Sequence, residues 1–277
     1  MRINATKAKL RDGKAVIGVL LGYNAPWLVE MMAAVGFDFV VIDVEHEPFN
    51  DESVADLIRI ADGAGLTPIV RMPCNERLVP FLDVGAQGVQ VPQIEGPEHA
   101  RRVVEMTRFY PLGRRTYYTQ GRAARYGVGV DESEWTRRAN EELLVIGMIE
   151  DLGAVEHLDK ILSVQGIDAF HIGPLDLAQS MGYPPREELD RTIDEVVRQC
   201  RAAGKAVALG AVAPWGLRNV GAYAQKGVQI FNVASGWLLA HTLSQFLEEV
   251  RRQVPEEKRS WVTGPRMAHN PYMANRQ

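Results

Sequence analysis

The amino-acid sequence predicts an α/β protein of the (β/α)8 class, a TIM barrel. Three observations carry that expectation. Short β-branched apolar runs alternate with longer amphipathic stretches, most runs are apolar on both faces, and eight of them fit into 277 residues. Alternation of strand and helix implies parallel strands joined by right-handed crossovers. Runs that are apolar on both faces suit a sheet covered by helices. Eight strands in roughly 250 residues close a barrel. A doubly wound open sheet competes, but no G-x-G-x-x-G follows a strand and no G-x-x-x-x-G-K-[ST] occurs.

The strand-like runs are residues 15–21, 38–43, 67–71, 88–92, 143–150, 167–173, 206–211 and 228–233. Helical patterns cover residues 51–64, 97–108, 154–162, 186–203 and 237–253. Several helix starts carry a cap or an early proline: Asn24 before Ala25-Pro26, Asn50/Asp51 before Glu52, and Gly96 before Pro97. Two segments interrupt the alternation, an insertion at 109–140 and a polar, proline-containing stretch at 254–277. Residues 1–253 are thus expected to form one barrel domain, with 254–277 as a C-terminal tail.

Composition narrows the function classes. Lys and Arg total 31 against 35 Asp and Glu, a net charge of −4, with 46% hydrophobic and 24% charged residues. Those values are typical of soluble globular chains and exclude disorder, collagen-like repeats and a membrane-spanning protein. Mild acidity argues against nucleic acid as a partner. Cys74 and Cys200 form neither a disulfide framework nor a metal-ligand spacing, which fits a reducing cytoplasm. Lys7, Lys9, Arg11 and Lys14 before Val16–Leu21 superficially resemble a signal peptide. The apolar stretch is short, Asp12 lies among the bases and no clean cleavage site follows, so a buried first strand explains it better.

In such a barrel the C-terminal strand ends build the active site. Strand two ends in Asp43-Val44-Glu45-His46, strand three at Arg71, strand four at Pro92-Gln93, strand five at Glu150-Asp151, and strand six runs into Gly173-Pro174-Leu175-Asp176. Strands seven and eight end in small or neutral residues around Ala211-Val212 and Asn232-Val233. Charges at strand ends are ordinary one by one, but these would share one mouth, where crowded carboxylates need a cation or an arginine. Glu150 and Asp176 offer two carboxylates to a hard divalent cation, Mg²⁺ or Mn²⁺, with Co²⁺ a third option. Zinc lacks its usual Cys and His cluster.

His46 is the histidine placed at a functional strand end, with Asp43 or Glu45 near enough to orient it as a general base. His171, inside strand six, is expected to pack or to support the site. Arg71 supplies fixed positive charge for a carboxylate or a developing enolate oxygen. None of the seven lysines lies at a strand's C-terminal end, so no Schiff base is expected, and a metal would be the electron sink. No G-x-S-x-G elbow occurs.

These residues, taken in order, resemble the HpcH/HpaI aldolases. The resemblance lies in Phe37-Asp-Phe-Val-Val-Ile-Asp-Val-Glu-His46 with Pro48, Val70-Arg-Met-Pro73, Leu82-Asp-Val-Gly-Ala86 and Val91-Pro92. It continues through Ile149-Glu150, Val164-Gln-Gly-Ile-Asp168, Ile172-Gly-Pro-Leu-Asp-Leu177 and Met181-Gly182, covering about residues 15 to 250. It implies a class II, metal-dependent pyruvate aldolase of the phosphoenolpyruvate/pyruvate barrel superfamily. A 4-hydroxy-2-oxo acid would be cleaved reversibly to pyruvate and an aldehyde.

The resemblance also implies roles. Glu150 and Asp176 would ligate the metal, and His46, oriented by Asp43, would be the base with Glu45 supporting it. Arg71 would hold the keto or enolate oxygen. Backbone N–H groups around Gly173, Pro174, Leu175 and Asp176 would bind the substrate carboxylate. The expected assembly is a homo-oligomer, a hexamer of three dimers that exchange their last barrel helix, here residues 237–253. Oxaloacetate decarboxylation or a citrate-synthase-like enolate condensation on the same site is the alternative chemistry.

Three departures from the family pattern stand out. Met148 replaces a frequent Gln, Glu47 replaces a small residue after the histidine, and the Pro-Pro-x-Gly-x-Arg-Gly turn is shortened to Pro111-Leu-Gly-Arg-Arg-Thr116, with Arg115 as the matching arginine. Residues 108–126 hold five arginines and four tyrosines without an acidic residue, which suggests a lid or a subunit contact ahead of a nucleic-acid surface.

Overall fold

The structure, a computed structural model, describes residues 2–261. Eight parallel strands close in chain order into one barrel. They are β1 (Val16–Leu21), β2 (Phe39–Asp43), β3 (Thr67–Arg71), β4 (Gly88–Val91), β5 (Leu144–Ile149), β6 (Ala169–Ile172), β7 (Ala206–Ala211) and β8 (Ile230–Ala234). Each coincides with a predicted run to within a residue or two, because a run apolar on both faces is stable only inside a covered sheet.

The helices are α1 (Ala5–Arg11), α2 (Pro26–Val35), α3 (Asp51–Ala64), α4 (Leu78–Val84), α5 (Pro97–Thr107), α6 (Glu132–Glu142), α7 (Leu152–Glu156), α8 (Leu158–Leu162), α9 (Pro174–Ser180), α10 (Arg186–Ala202), α11 (Val220–Gln225) and α12 (Ser235–Gln253). Asn50 caps α3 as expected, its side chain accepting from the Ser53 N–H. Asn24 does not cap α2; Ala25 takes that position, and Asn24 Nδ2 donates to Ser53 Oγ instead. The stretch expected as one helix at 154–162 breaks at His157 into α7 and α8. No helix among the described residues is long and apolar enough to cross a membrane.

Side-chain alternation divides the core in two. Val19, Leu21, Val40, Ile42, Val70, Val145, Phe170 and Val207 pack outward against the helices. Val16, Phe39, Val41, Ile69, Leu144, Ile146, Ala169, Ala208 and Ile230 fill the lumen. Size alternates across the lumen: a Cβ on Gly18 would lie 2.3 Å from the Phe39 ring, so the glycine leaves room for the phenyl. Extending the lumen phase toward the strand ends brings Asp43, Arg71, Gln90, Met148 and His171 inward, and the register sets Asp43 directly beside Arg71.

The opposite end is closed by segments the alternation does not predict. Helix α1 precedes the first strand, and its Leu10 packs into the lumen cluster, plugging the N-terminal face. Buried Lys7 of α1 bonds the Leu143 carbonyl at 2.6 Å and pairs with Asp168 at 2.9 Å. The basic N-terminus is thus a plug over the barrel floor. The insertion folds on the same face, its second half being α6, and it holds a small core of Phe109, Ala124, Trp135 and Ala139. Most of the expected tail, residues 262–277, lies outside the described residues.

Candidate active site

At the mouth, β2 and β3 deliver the most constrained pair. Arg71 Nε and Nη2 donate to Asp43 Oδ1 and Oδ2 at 2.9 and 2.6 Å, a two-pronged ion pair with both side chains buried. Asp43 Oδ1 also accepts from the backbone N–H groups of Glu45 and His46, at 3.2 and 3.4 Å, which fixes the turn after β2. Burial opposes the Arg71 charge, but the bond and charge of Asp43, with Glu45 and Glu150 beyond, outweigh it and raise its pKa.

Of the two carboxylates expected near the imidazole of His46, it is Glu45 that stands beside it and not Asp43, which the resemblance favoured. Glu45 Oε2 lies 3.6 Å from His46 Nε2 and 3.5 Å from Arg71 Nε. Asp43 therefore orients Arg71 and the backbone of the turn, while Glu45 stands beside the ring. Burial raises the Glu45 carboxyl; Arg71 and His46 pull it down, and Asp43 and Asp176 push it up. His46 itself is exposed at the opening.

Glu150 follows β5 and is buried. Its Oε1 accepts the Gln93 N–H at 2.7 Å, and Gln93 holds that N–H in place at a left-handed φ of 53°. A Cβ on Gly173 would lie 2.6 Å from Glu150 Oε2, so residue 173 must be glycine for the carboxylate to sit there. Burial pushes the Glu150 carboxyl up to about 7; the Gln93 bond opposes this, while the charges of Asp176 and Glu45 add to it. Asp176, in the first turn of α9, is exposed and makes no hydrogen bond or ion pair with a described residue.

Among the described residues no cluster of three or more His, Cys, Asp or Glu is set to hold a metal ion. The available donors are a pair of carboxylates, an all-oxygen set with positions left for water and substrate oxygens, as Mg²⁺-type sites have. The raised Glu150 carboxyl fits that assignment, since a divalent cation would supply the charge compensation it lacks.

At the start of α9 the Gly173 N–H is already bonded to the Ile149 carbonyl, and Pro174 has none to give. The expected anion donors therefore reduce to the N–H groups of Leu175 and Asp176, which lack partners among the described residues. His171 faces the lumen beneath Arg71. Burial, with the Arg71 charge behind it, lowers its pKa to about 3 and keeps it neutral.

The Arg/Tyr-rich segment is not a lid over this chain's own mouth. It connects the end of α5 to the start of β5 and so lies on the N-terminal face. Arg108 bonds the carbonyls of Leu143 and Gly166 and pairs with Asp168; Arg115 pairs with Asp83 at 2.6 Å, and Arg122 with Asp62. Arg115 is buried there, far from Arg71 in the fold. Two lumen residues lacked any motif in the sequence. Gln90 donates to Met148 Sδ at 3.2 Å, and buried Asn232 leaves its Oδ1 without a partner among the described residues. Their signal was phase: each stands two residues after a lumen position of its strand, Gly88 or Ile230.

Comparison with known proteins places the whole barrel among known relatives. The family model for HpcH/HpaI aldolase/citrate lyase matches residues 17–241. A 2-keto-3-deoxy-L-rhamnonate aldolase of Salmonella gallinarum is 36% identical over 217 residues, covering 76% of this chain and 80% of the relative. The crystal structure of an HpcH/HpaI aldolase from Desulfitobacterium hafniense superposes with a TM-score of 0.81 at 28% identity, covering 90% of this chain and 97% of that one. A citrate synthase, SbnG, superposes with a TM-score of 0.78 at 31% identity, covering 89% and 97%.

Proposed function

The chain belongs to the HpcH/HpaI aldolase/citrate lyase family, and from that premise we propose that it is a class II pyruvate aldolase. It uses a divalent metal to cleave a 4-hydroxy-2-oxo acid to pyruvate and an aldehyde, reversibly. One observation carries the assignment of residues: the Glu150 and Asp176 carboxylates, the Asp43-held Arg71 and His46 share a single barrel mouth.

Glu150 and Asp176 would hold the metal, whose chemistry there would be Lewis-acid polarisation of the substrate's 2-keto group. The N–H groups of Leu175 and Asp176 receive the substrate carboxylate at the start of α9. His46 takes the proton of the 4-hydroxyl. The C3–C4 bond then breaks, its electron pair passing into the enolate of pyruvate while the C4 half leaves as the aldehyde. Arg71, unable to swing because Asp43 grips two of its nitrogens, faces the enolate oxygen with positive charge. Protonation at C3 completes pyruvate.

The rhamnonate-derived acid named for the relatives is a 2-keto-3-deoxy sugar acid, which fits a hydroxyaldehyde product here. Likeness to a citrate synthase keeps a second chemistry in view, condensation of an enolate with a different electrophile, or decarboxylation of oxaloacetate. Assembly into an oligomer with exchanged last helices is supported by two exposed apolar stripes. On α12 these are Leu239, Leu243, Phe246 and Leu247; on α2 they are Trp27, Met31 and Val35. Mg²⁺ or Mn²⁺ is the proposed metal, and two buried, unpaired cysteines fit a cytoplasmic setting.

The test is pyruvate release from a panel of 4-hydroxy-2-oxo acids and from oxaloacetate, with EDTA and with Mg²⁺, Mn²⁺ or Co²⁺ restored. Metal-dependent pyruvate with an aldehyde co-product is the expected result. Pyruvate from oxaloacetate alone would replace the aldolase by a decarboxylase or condensing enzyme.

A further inference from the structure

Between the ends of β1 and β2 the mouth holds a carboxylate that the chemistry above does not use. Alternation along β1 turns Leu20 to the lumen and Val19 and Leu21 outward, so position 22 faces the mouth. Gly22 has no side chain to put there. Glu47 fills the space instead: its Oε1 lies 2.7 Å, and its Cδ 3.3 Å, from where a Cβ on Gly22 would be. The Glu47 side chain makes no hydrogen bond or ion pair with a described residue. Two hydroxyls share this corner. Ser235 Oγ accepts the Gly22 N–H at 3.2 Å, and the Tyr23 hydroxyl stands 3.0 Å from a Cβ built on Gly236.

Chain order relates this corner to the substrate. His46 takes the proton from the oxygen on C4, so the half that leaves as the aldehyde lies beside His46. The pyruvate half lies toward Arg71, Glu150 and Asp176. Glu47 follows His46 directly and turns its carboxylate toward β1, on the side of β2 away from β3. The outer carbons of the aldehyde therefore run toward Glu47. An acceptor carrying its own carboxylate would place like charges together in a mouth that already holds Asp43, Glu45, Glu150 and Asp176. A neutral hydroxyaldehyde would instead donate its hydroxyl hydrogens to the Glu47 carboxylate, a charge-assisted bond.

We propose that Glu47 determines acceptor specificity, selecting neutral, hydroxyl-bearing aldehydes and rejecting aldehydes that carry a carboxylate. This specificity rests on the aldolase function proposed above. The test measures aldol addition of pyruvate, with Mn²⁺ present, for the wild type, Glu47→Gln and Glu47→Ala. Glycolaldehyde and lactaldehyde serve as neutral acceptors, glyoxylate and succinic semialdehyde as anionic ones. The wild type should favour the neutral acceptors in kcat/KM, and Glu47→Gln should shrink that ratio by about tenfold or more, the equivalent of about 1.4 kcal/mol. Raising ionic strength should narrow the wild-type preference more than that of the variants.

A ratio unchanged to within about twofold in both variants, or a wild type that prefers anionic aldehydes, overturns the role of Glu47. Deuterium exchange into the pyruvate methyl group needs no acceptor and separates the two levels of failure. Exchange without Glu47-dependent discrimination removes the specificity alone. Absence of both exchange and aldol product removes the aldolase function with it.

Discussion

The two ends of this barrel use charge in opposite ways. On the N-terminal face, Lys7, Arg108 and Asp168 are fully partnered: Asp168 pairs with both cations and accepts the Val145 N–H, while Arg108 also bonds the carbonyls of Leu143 and Gly166. At the mouth, Glu150 has a single N–H partner, Asp176 has none among the described residues, and Arg71 is already committed to Asp43. The floor spends its charges on holding segments together. The mouth keeps carboxylates under-compensated, at a cost in stability, and thereby leaves them available to a cation and a substrate. The two ends differ less in how much charge they carry than in how far their carboxylates are partnered.

The largest effect that tests this contrast is at Glu150. Glu150→Gln, or Asp176→Asn, should lower metal-dependent turnover by about a thousandfold or more, because the proposed metal site keeps only one of its two carboxylates. Thermal melting of the metal-free protein should be unchanged or higher, since the variant removes a poorly compensated acid. A variant that melts much earlier would make Glu150 a structural residue like those of the floor.

At the floor the pattern should reverse. Arg108→Ala takes from Asp168 one of its two buried cations and from the Gly166 carbonyl its donor, and should cost about 3–5 kcal/mol in denaturant unfolding. Activity per folded molecule should be retained. Selective loss of kcat with normal stability would show that the two ends are coupled.

The third effect is smaller and depends on pH. The Glu150 carboxyl is raised to about 7 in the folded chain, against an ordinary value of 4.5. The folded state therefore keeps a proton that the unfolded state releases. Stability of the metal-free protein should be fullest below pH 4.5 for this group and decline as pH rises through 7, by on the order of 2–3 kcal/mol. Metal affinity should move the other way, tightening by about tenfold per pH unit up to 7. Denaturant unfolding across pH checks the first slope and titration calorimetry with the metal the second, and Glu150→Gln should flatten both.

Much of this was legible in the sequence because barrel strands are short, apolar and punctuated, and because strand ends have a known direction. The eight strands and the acidic residues at their ends follow from that alone. Helix α1 was missed because its seven residues carry three basic side chains and no long apolar stripe. Its stabilising contacts, Lys7 to Asp168 and Leu10 to the lumen, come from distant parts of the chain. The lumen residues Gln90 and Asn232 were likewise hidden, since a single polar residue in a strand reveals its role only when phase and neighbours are known.

By itself the sequence determined the fold class, the order of the strands and which residue types reach the mouth, since these depend on periodicity and on positions along one chain. Only the tertiary structure decided that Asp43 grips Arg71 while Glu45 stands beside His46. It also put the Arg/Tyr insertion on the floor rather than over the mouth, and brought Glu47 into the space left by Gly22. These are matters of distance between residues remote in the chain or of side-chain direction within a turn, set by barrel closure and by which atoms fill the remaining space.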